Sequence, residues 1–579
     1  MPLRTHLRPL LLSRAPRGLP VLTRLRPLLL PRAAVLSMAE ISSRYIVAGG
    51  PYTWAALGGT ETWWKKFFPF VNAWLIMFSF FGSMASVNTS AAQALYAMDI
   101  MHSYGAKRGD AFVPRELDLW DPVTEFSHQG ENNTWKNVFG ITVAITLSQF
   151  ALNLLPLRLM NKASWVSFLV MIFGSLILII GLPAIAPTHQ TWKWVWTKWY
   201  SQEENPVGAL AHTGLPSNGW MFCAGMLMAQ FLVLCYDVPS HMAEETHNAS
   251  WTVPRSIAGS FVCAGFLNLC LLLSYLFSVQ HLGNLGWGVT QGLYPIGNLF
   301  WDVFAARFPD TAIASGATGG PGSGPYEYSS TSSDGDCLLK SGATCLNVMT
   351  NLPNPTAAGR DGAVFFTFII FCGAYICGMM NCCAGSRFLY ALARDGGLPF
   401  SGFLRKVADF NGVPVRTLTL FVAVSIAFLT CNLSTNPLEG YLSVSGISSN
   451  GYLMAYGIPC LLRLTVARKT FKATPDFDLG IMSKPLAALG VAVSTFAVAT
   501  IALPAYLPAN KDNLNFSGVA LGAVLLLACL TFPFALKFWG YTAPQTGVDM
   551  KAEYEESLKA GRAGLDGADK AAVVGDAAA

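Results

Sequence analysis

A single acidic residue, Asp237, interrupts an otherwise apolar stretch of the sequence. The stretch reads GWMFCAGMLMAQFLVLCYDVP over residues 219–239. Because Pro239 removes a backbone donor and disfavours helical geometry before it, the pattern predicts an apolar helix to Leu234 and a shorter polar helix beyond. Such breaks are tolerated in membranes where they line a cavity, and they are typical substrate sites of secondary transporters. Asp237 is therefore a candidate ligand for a substrate ammonium group or a coupling proton, the N-cap of the second half-helix, or both.

The segment HMAEETH, just beyond this break, carries two histidines and two glutamates. On a helix, His241, Glu244 and Glu245 share one face, whereas His247 lies about 240° around from His241, which argues against a zinc site. The segment is either a solvated helix end or a charged gate that pairs with Arg or Lys from a neighbouring helix. The sequence contains no HExxH, GxSxG or phosphate-loop motif, so it predicts neither an enzyme nor a metal or cofactor.

Other polar side chains within apolar stretches are candidates to line the same cavity. Asn381 and Ser448 are two of them, in separate stretches. Small and hydroxyl residues in membrane helices more often serve close packing or helix-to-helix hydrogen bonds, so each is either a substrate contact or a packing residue. The set comprises Ser83, Ser86, Asn88, Gln93, Tyr375, Asn381, Ser443, Ser445, Ser448, Ser449, Asn450, Tyr452 and Tyr456.

The composition predicts that membrane-spanning helices position these residues. Of the 579 residues, 53% are hydrophobic and 12% are charged, against about 25% charged in ordinary soluble domains. One soluble core cannot bury so much apolar surface. A bilayer core about 30 Å thick requires roughly 20 apolar residues in a helix. Ten segments fit this requirement or nearly so: 69–101, 137–156, 164–187, 219–237, 257–283, 362–385, 417–432, 441–462, 485–507 and 515–536. The sequence therefore predicts an all-α, multi-pass protein of the plasma membrane or an organelle membrane.

The positions of Lys and Arg predict its orientation. If residues 40–66 are cytoplasmic, 21 basic residues lie inside and 10 outside. Asn132, in the sequon Asn132-Asn133-Thr134, then lies outside as a glycosylation candidate. Cys337 and Cys345 lie in a polar loop and form a local disulfide if that loop faces an oxidising compartment. The net charge of +5, without a compact basic patch, gives no indication of nucleic-acid binding.

The chain divides into three parts. Residues 1–34 are rich in Arg and Pro and resemble either an organelle transit peptide or the product of a mis-joined gene model. Residues 35–545 form the transmembrane domain, with an external insertion over 309–361 whose Gly, Ser, Pro and Thr content predicts disorder. Residues 546–579 form a polar cytoplasmic tail.

Three separated motifs resemble amino acid–polyamine–organocation permeases, most closely the amino acid/choline transporter branch with fungal GABA permeases and plant bidirectional amino-acid transporters. SMAEISSRYIVAGGPYTWAAL at 37–57 resembles the hallmark that follows the family's second span. YDVPSHMAEETHNASWTVPRSI at 236–257 resembles its sixth-span signature. SRFLYALARDGGLPFSGFLRKV at 386–407, continued by NGVPVRTL at 411–418, resembles the end of its eighth span.

The resemblance implies a five-plus-five inverted repeat, as in leucine transporters, with two extra C-terminal spans and a cytoplasmic N-terminus. The ten predicted spans then correspond to family spans three to twelve. The implied substrate contacts are Leu234, Cys235, Tyr236 and Asp237, and the implied cytoplasmic gate comprises His241, Glu244, Glu245, Arg387 and Arg394.

One departure from the family leaves two functions open. The first span and most of the second have no counterpart, and AVLSM at 34–38 is what remains of the second. Since the family's first span supplies amides for the substrate carboxylate, half of the site is expected to be absent. The chain is either a secondary transporter of amino acids or small amines (GABA, choline or polyamine-like), working by alternating access around residues 235–239 with a proton or Na⁺ as coupling ion, or a transport-inactive paralogue that acts as a membrane scaffold or sensor.

Overall fold

The structure, a computed structural model, describes most of the chain between residues 32 and 544. The described residues are 32–46, 49–58, 63–106, 128–197, 223, 230–231, 234–280, 285, 293–308, 328–329, 338–339, 355–407, 413–434, 437–468, 471, 474–503, 515–542 and 544. The N-terminal segment up to residue 31, most of the 309–361 insertion and the tail from 545 lie outside them.

Helices dominate the described residues. The α-helices are α1 Arg32–Arg44, α2 Pro51–Trp54, α3 Trp64–Ala106, α4 His128–Asn153, α5 Leu157–Ile185, α6 Trp192–Thr197, α7 Ala249–Ser278, α8 Pro295–Arg307, α9 Ala357–Arg394, α10 Ser401–Leu404, α11 Val415–Leu429, α12 Pro437–Leu464, α13 Ser483–Ile501 and α14 Ser517–Phe534. Short 3₁₀ helices cover Ala55–Gly58, Val238–Glu245, Thr430–Leu433, Val466–Arg468 and Gly480–Met482, and a π-helix covers Ala535–Trp539. Two-residue strands β1 (Tyr328–Ser329) and β2 (Leu338–Leu339) pair antiparallel within the insertion.

The apolar helices confirm a multi-pass, all-α membrane protein. Within the described residues, seven helical segments are long and apolar enough to cross a bilayer: Trp64–His102, Lys162–Ile185, Ala249–Ser278, Ala357–Arg394, Val415–Leu433, Gly480–Ile501 and Ser517–Trp539. Two more predicted spans, 137–156 and 441–462, fall largely on α4 and α12. These two are less apolar because they carry polar side chains that face other helices rather than lipid. The remaining predicted span, 219–237, lies mostly outside the described residues.

Helix α3 forms the centre of the bundle. In its most apolar stretch 94% of the residues are buried, against 17% in α5 and 11% in α7, so α3 is surrounded by protein while α5 and α7 present their apolar side chains to lipid. It packs most extensively against α9 and α12. Buried polar pairs join the helices: the Asn88 Nδ2 of α3 donates to Gln149 Oε1 of α4 at 2.8 Å, and Ser445 Oγ of α12 donates to Ser86 Oγ of α3 at 2.9 Å. Such pairs satisfy polar groups that lipid cannot.

Helix α1 begins at Arg32, just before the AVLSM segment, and packs against α7, α12 and α13. Its middle is almost completely buried, including the polar side chains of Ser37 and Glu40. A turn at Gly49 and Gly50 then leads into α2. Asn72 Nδ2 of α3 donates to the Pro51 carbonyl at 2.7 Å and holds that turn against the bundle. This turn lies against the segment after Asp237, since a Cβ added at Gly50 would be 2.6 Å from Ser240 Oγ.

The backbone is interrupted between Leu234 and Asp237. These four residues are not helical, and Cys235 adopts a left-handed conformation with φ of 61°. A 3₁₀ helix then runs over Val238–Glu245, with Pro239 in its first turn, and α7 begins at Ala249 after Asn248, which is also left-handed with φ of 50°. Left-handed geometry is costly for residues with a Cβ and is found where surrounding structure enforces it.

Candidate functional site

The Asp237 carboxylate lies fully buried at this interruption and makes two side-chain hydrogen bonds. The Tyr456 hydroxyl of α12 donates to Oδ1 at 2.6 Å. His241 Nε2 lies 3.2 Å from Oδ2, and both side chains of this pair are 0% exposed. The carboxylate makes no capping hydrogen bond to the 3₁₀ helix that follows it. A buried carboxylate is costly unless it is hydrogen-bonded, and Tyr456 and His241 supply its hydrogen bonds.

Aromatic packing positions the two tyrosines beside the acid. The rings of Tyr236 and Tyr456 lie 4.6 Å apart between centroids, and Phe261 of α7 meets Tyr236 edge-on at 5.9 Å. The Tyr236 hydroxyl faces Met38 Sδ of α1 at 3.5 Å, a weak acceptor. The Tyr456 hydroxyl therefore makes the strong hydrogen bond of this pair, and Tyr236 contributes mainly its ring.

His241 is enclosed rather than solvated. It is 2% exposed, and its ring makes edge-on contacts with Phe80 of α3 at 5.6 Å and Phe388 of α9 at 5.7 Å. Gly50 covers its other side: a Cβ on Gly50 would lie 2.6 Å from Ser240 Oγ and 2.9 Å from His241 Cε1. Because φ of Gly50 is also +55°, glycine is required there for both conformation and close approach.

Leu234 and Cys235 are the first two residues of the interruption, and neither brings a charged group to the acid. Leu234 is half-buried and packs against the main hydrophobic core. The Cys235 thiol lies beside the Tyr452 hydroxyl. This hydroxyl is buried and makes no hydrogen bond within the described residues. The interrupted segment thus brings together a carboxylate, an imidazole, a thiol and the three phenols of Tyr236, Tyr452 and Tyr456.

Asn381 and Ser448 lie at helix contacts with α3. Ser448 Oγ donates to the Ser79 carbonyl at 3.0 Å, and Asn381 Nδ2 lies 3.5 Å from the Phe80 carbonyl. Both side chains are buried. In this conformation they hold α9 and α12 against α3, which is the packing role that small polar residues commonly have in membrane helices.

The candidate gate residues occupy the end of α9 and the 3₁₀ helix. Arg387 Nη1 lies 2.6 Å from Cys383 Sγ, and Arg394 Nε lies 3.4 Å from Asp395 Oδ1. The side chains of Glu244 and Glu245 lie outside the described part of the chain, so their pairing with these arginines stays a prediction. Cys337 and Cys345 lie outside it too; Asn132 falls in α4, with its side chain undescribed.

Asp395 joins three parts of the chain at this end of α9. Its Oδ2 accepts the Tyr52 hydroxyl of α2 at 3.0 Å, and its carbonyl accepts the Thr542 N–H at 3.0 Å. Burial, with smaller contributions from Tyr541 and Asp395, raises the pKa of Tyr52 well above its usual value. Tyr52 therefore remains a hydrogen-bond donor throughout the physiological pH range.

Surface cavities lie away from the interruption. One of about 810 Å³ lies between α3 and α4 and is lined by Asp99, His102 and Lys136 among others. Another of about 450 Å³ lies between α5 and α7 near Pro183 and Phe277. Neither of these two cavities is lined by residues 234–241.

Two residues that surround the Asp237–His241 pair, Tyr456 and Gly50, are less evident from the sequence. Tyr456 was one polar residue among thirteen candidates, and nothing in its spacing distinguishes it from Tyr452. Gly50 belongs to the AGGP segment, but its contact with His241 joins positions 191 residues apart in the sequence. Only the folded arrangement identifies them.

Comparisons with known proteins give a consistent result. The sequence profile described as amino acid permease matches residues 28–315 and 343–526. The amino-acid permease BAT1 homolog of Oryza sativa subsp. japonica is 27% identical over 529 residues, which cover 89% of this chain and 83% of that protein. Amino-acid permease BAT1 of Arabidopsis thaliana is 26% identical over 515 residues, with 89% and 84% covered. Thiamine transporter thi9 of Schizosaccharomyces pombe is 23% identical over 509 residues, with 85% and 73% covered.

Proposed function

This chain belongs to the amino acid permease family, and we propose that it carries an amino acid or a related small amine by alternating access around residues 234–237. It is an integral multi-pass membrane transporter rather than an enzyme. The observation that carries this proposal is the buried Asp237 carboxylate at a backbone interruption. Interrupted helices free backbone groups for a ligand, and an acid inside a membrane is a natural partner for a cation.

The names of the relatives support a substrate that contains a positively charged nitrogen. They describe amino-acid permeases and a thiamine transporter. Amino acids and thiamine share a positively charged nitrogen. Asp237 supplies the opposite charge, and its present partners, Tyr456 and His241, are groups that a substrate ammonium can replace. The Tyr452 hydroxyl, buried beside Cys235, is a second candidate contact.

The pairing of His241 with Asp237 favours a proton as the coupling ion. Histidine and carboxylate side chains inside membranes commonly form proton relays, and His241 Nε2 lies 3.2 Å from Asp237 Oδ2. Among the described residues, the side-chain partners of the carboxylate are a phenol O–H and an imidazole nitrogen rather than a shell of oxygen ligands. This donor set fits proton exchange better than Na⁺ binding, since hard cations prefer oxygen ligands.

Reconstitution into proteoliposomes tests the proposal. A labelled panel of neutral, acidic and basic amino acids, GABA, choline, polyamines and thiamine is offered under an inward proton gradient, an inward Na⁺ gradient and no gradient. We expect accumulation of at least one amino acid or small amine, driven by the proton gradient. If correctly inserted protein transports none of the panel under any gradient, the proposal is wrong and the scaffold or sensor function is supported.

A further inference from the structure

A cavity of about 810 Å³ lies between the last part of α3 and the first part of α4. Its volume falls within the roughly 300–1,000 Å³ that is typical of sites for small molecules. Leu95, Met98 and Asp99 line one wall, and they share a face of α3 because they are three and four positions apart. The α4 wall comprises residues 136, 137, 140 and 141, and α9 contributes Val364. Two helix faces therefore border a space large enough for a ligand.

The two helices bring opposite charges to this cavity. Asp99 of α3 and Lys136 of α4 line it with exposed side chains. Within the described part of the chain, no hydrogen bond or ion pair involves either side chain. Gly140 keeps the α4 wall open, since a Cβ added there would meet nothing within 4 Å. The cavity is thus accessible, and both of these charged groups are available to a ligand.

The signs of these charges select the kind of ligand. A simple cation is attracted by Asp99 and repelled by Lys136, and a simple anion experiences the reverse. A zwitterion satisfies both, because its ammonium group pairs with the carboxylate and its anionic group pairs with the lysine. The apolar side chains of Met98 and Ile141, which also line the cavity, fit the apolar part of such a molecule.

We infer that this cavity binds a neutral amino acid with an apolar side chain, at a site separate from Asp237. The carboxylate of the amino acid faces Lys136, its ammonium group faces Asp99, and its side chain lies against Met98 and Ile141. In the orientation predicted from Lys and Arg, the site is on the outer side of the membrane. The inference goes beyond the proposed function and stands whether or not Asp237 binds the transported substrate.

Equilibrium binding of labelled leucine to the full chain in detergent tests the inference. The measurement is made with Asp237→Asn, so that binding which depends on that carboxylate is removed. We expect Asp237→Asn to bind one leucine per chain and the added substitution Gly140→Phe to abolish this binding by filling the cavity. Gly265→Phe on the same background is the control and should retain it, because Gly265 lies on the lipid-facing α7 with nothing within 4 Å of an added Cβ. Absence of leucine binding by Asp237→Asn, or equal binding after Gly140→Phe, overturns the inference.

Changes to the two charged groups test the inferred pairing, and they keep the test valid if Gly140→Phe or Asp237→Asn does not fold. Asp99→Asn and Lys136→Gln alter exposed side chains and are made in both the wild-type and the Asp237→Asn chain. Each is expected to weaken leucine binding at this site about tenfold or more, as for one lost hydrogen bond to a charged group. Unchanged leucine binding by both charge variants overturns the inference.

The choice of ligand separates a free amino acid from other molecules. Isopentylamine and 4-methylpentanoate each lack one charged group of leucine, and both should bind about tenfold or more weakly than leucine. Binding of either compound as tight as that of leucine overturns the inferred zwitterion. Binding of short-chain phosphatidylethanolamine without binding of leucine also overturns the inference, because the cavity then holds a lipid headgroup.

Discussion

The hydroxyl of Tyr456 donates a 2.6 Å hydrogen bond to Oδ1 of Asp237 and thereby ties the middle of α12 to the interruption at residues 234–237. The two residues are 219 positions apart in the chain. Because this contact joins α12 to a buried acid, movement of either element changes the environment of the carboxylate. Under the proposed function, a substrate that binds Asp237 would change this hydrogen bond and thereby act on α12.

Removing this hydroxyl is expected to destabilise the protein. Tyr456→Phe leaves the buried carboxylate with one donor fewer, at a cost of about 1.5–3 kcal/mol for a hydrogen bond to a charged group. Tyr375→Phe is the control, because the Tyr375 hydroxyl bonds Ser148 at an exposed position at 2.9 Å. Thermal midpoints in detergent should fall clearly for Tyr456→Phe and little for Tyr375→Phe; equal shifts would contradict the role given to Tyr456.

His241 is expected to couple transport to protons. His241→Gln keeps an N–H donor near Asp237 but removes the imidazole that is proposed to relay the proton. Exchange of labelled for unlabelled substrate across the membrane should continue, while accumulation driven by a proton gradient should be lost. His102→Gln, at an exposed position on α3, should retain both activities. Gradient-driven accumulation by His241→Gln at the wild-type level would assign the coupling to another group.

Gly50 is expected to be essential where it covers His241. In Gly50→Ala the new Cβ would overlap Ser240 Oγ at 2.6 Å, and the left-handed backbone adds roughly 1–2 kcal/mol. Gly480→Ala is a matched control, since Gly480 has the same φ of +55° but open space around it. Uptake rates should fall for Gly50→Ala beyond any effect of Gly480→Ala. The same uptake rate for both variants would show that backbone strain alone matters.

Gly378 of α9 is expected to maintain the contact between α3, α4 and α9. A Cβ there would lie 2.2 Å from Asn88 Oδ1 and 2.6 Å from Gln149 Nε2, and overpacking of this kind costs about 1–3 kcal/mol. Gly265→Ala, on the lipid-facing α7 with nothing within 4 Å, is the control. Thermal unfolding of both variants measures the difference; a Gly378→Ala midpoint equal to that of Gly265→Ala would mean that the network rearranges freely.

The sequence was sufficient for much of the fold because apolar length and the proline break are local signals. Seven predicted spans and the Asp237 interruption followed from them. The helicity of α4 and α12 also followed, although their polar faces make them less apolar than lipid-facing helices. The structure explains the polar residues on these faces, because Gln149 and Ser445 form hydrogen bonds with residues of α3.

The partners of Asp237 required three-dimensional information. The sequence suggested that His241 is either a gate residue or part of a solvated helix end, whereas the structure encloses it with Asp237 between Phe80 and Phe388. Asp237 and His241 are four positions apart, a spacing compatible with a local contact, but the enclosing rings of Phe80 and Phe388 come from distant helices that no local pattern connects with them. Tyr456 comes from a distant helix, so no local pattern connects it with the acid.

The most direct test of the account is the initial rate of uptake by Asp237→Asn in proteoliposomes, at equal amounts of inserted protein. The substitution preserves size but removes the charge proposed to bind the substrate nitrogen. Loss of a buried charge partner costs about 2–5 kcal/mol, or roughly 30-fold or more in rate. Asp302→Asn, which changes a buried acid of α8, is the control and should retain substantial uptake. A rate for Asp237→Asn within twofold of the wild type, with about the same KM, would contradict the central claim that this carboxylate binds the transported substrate.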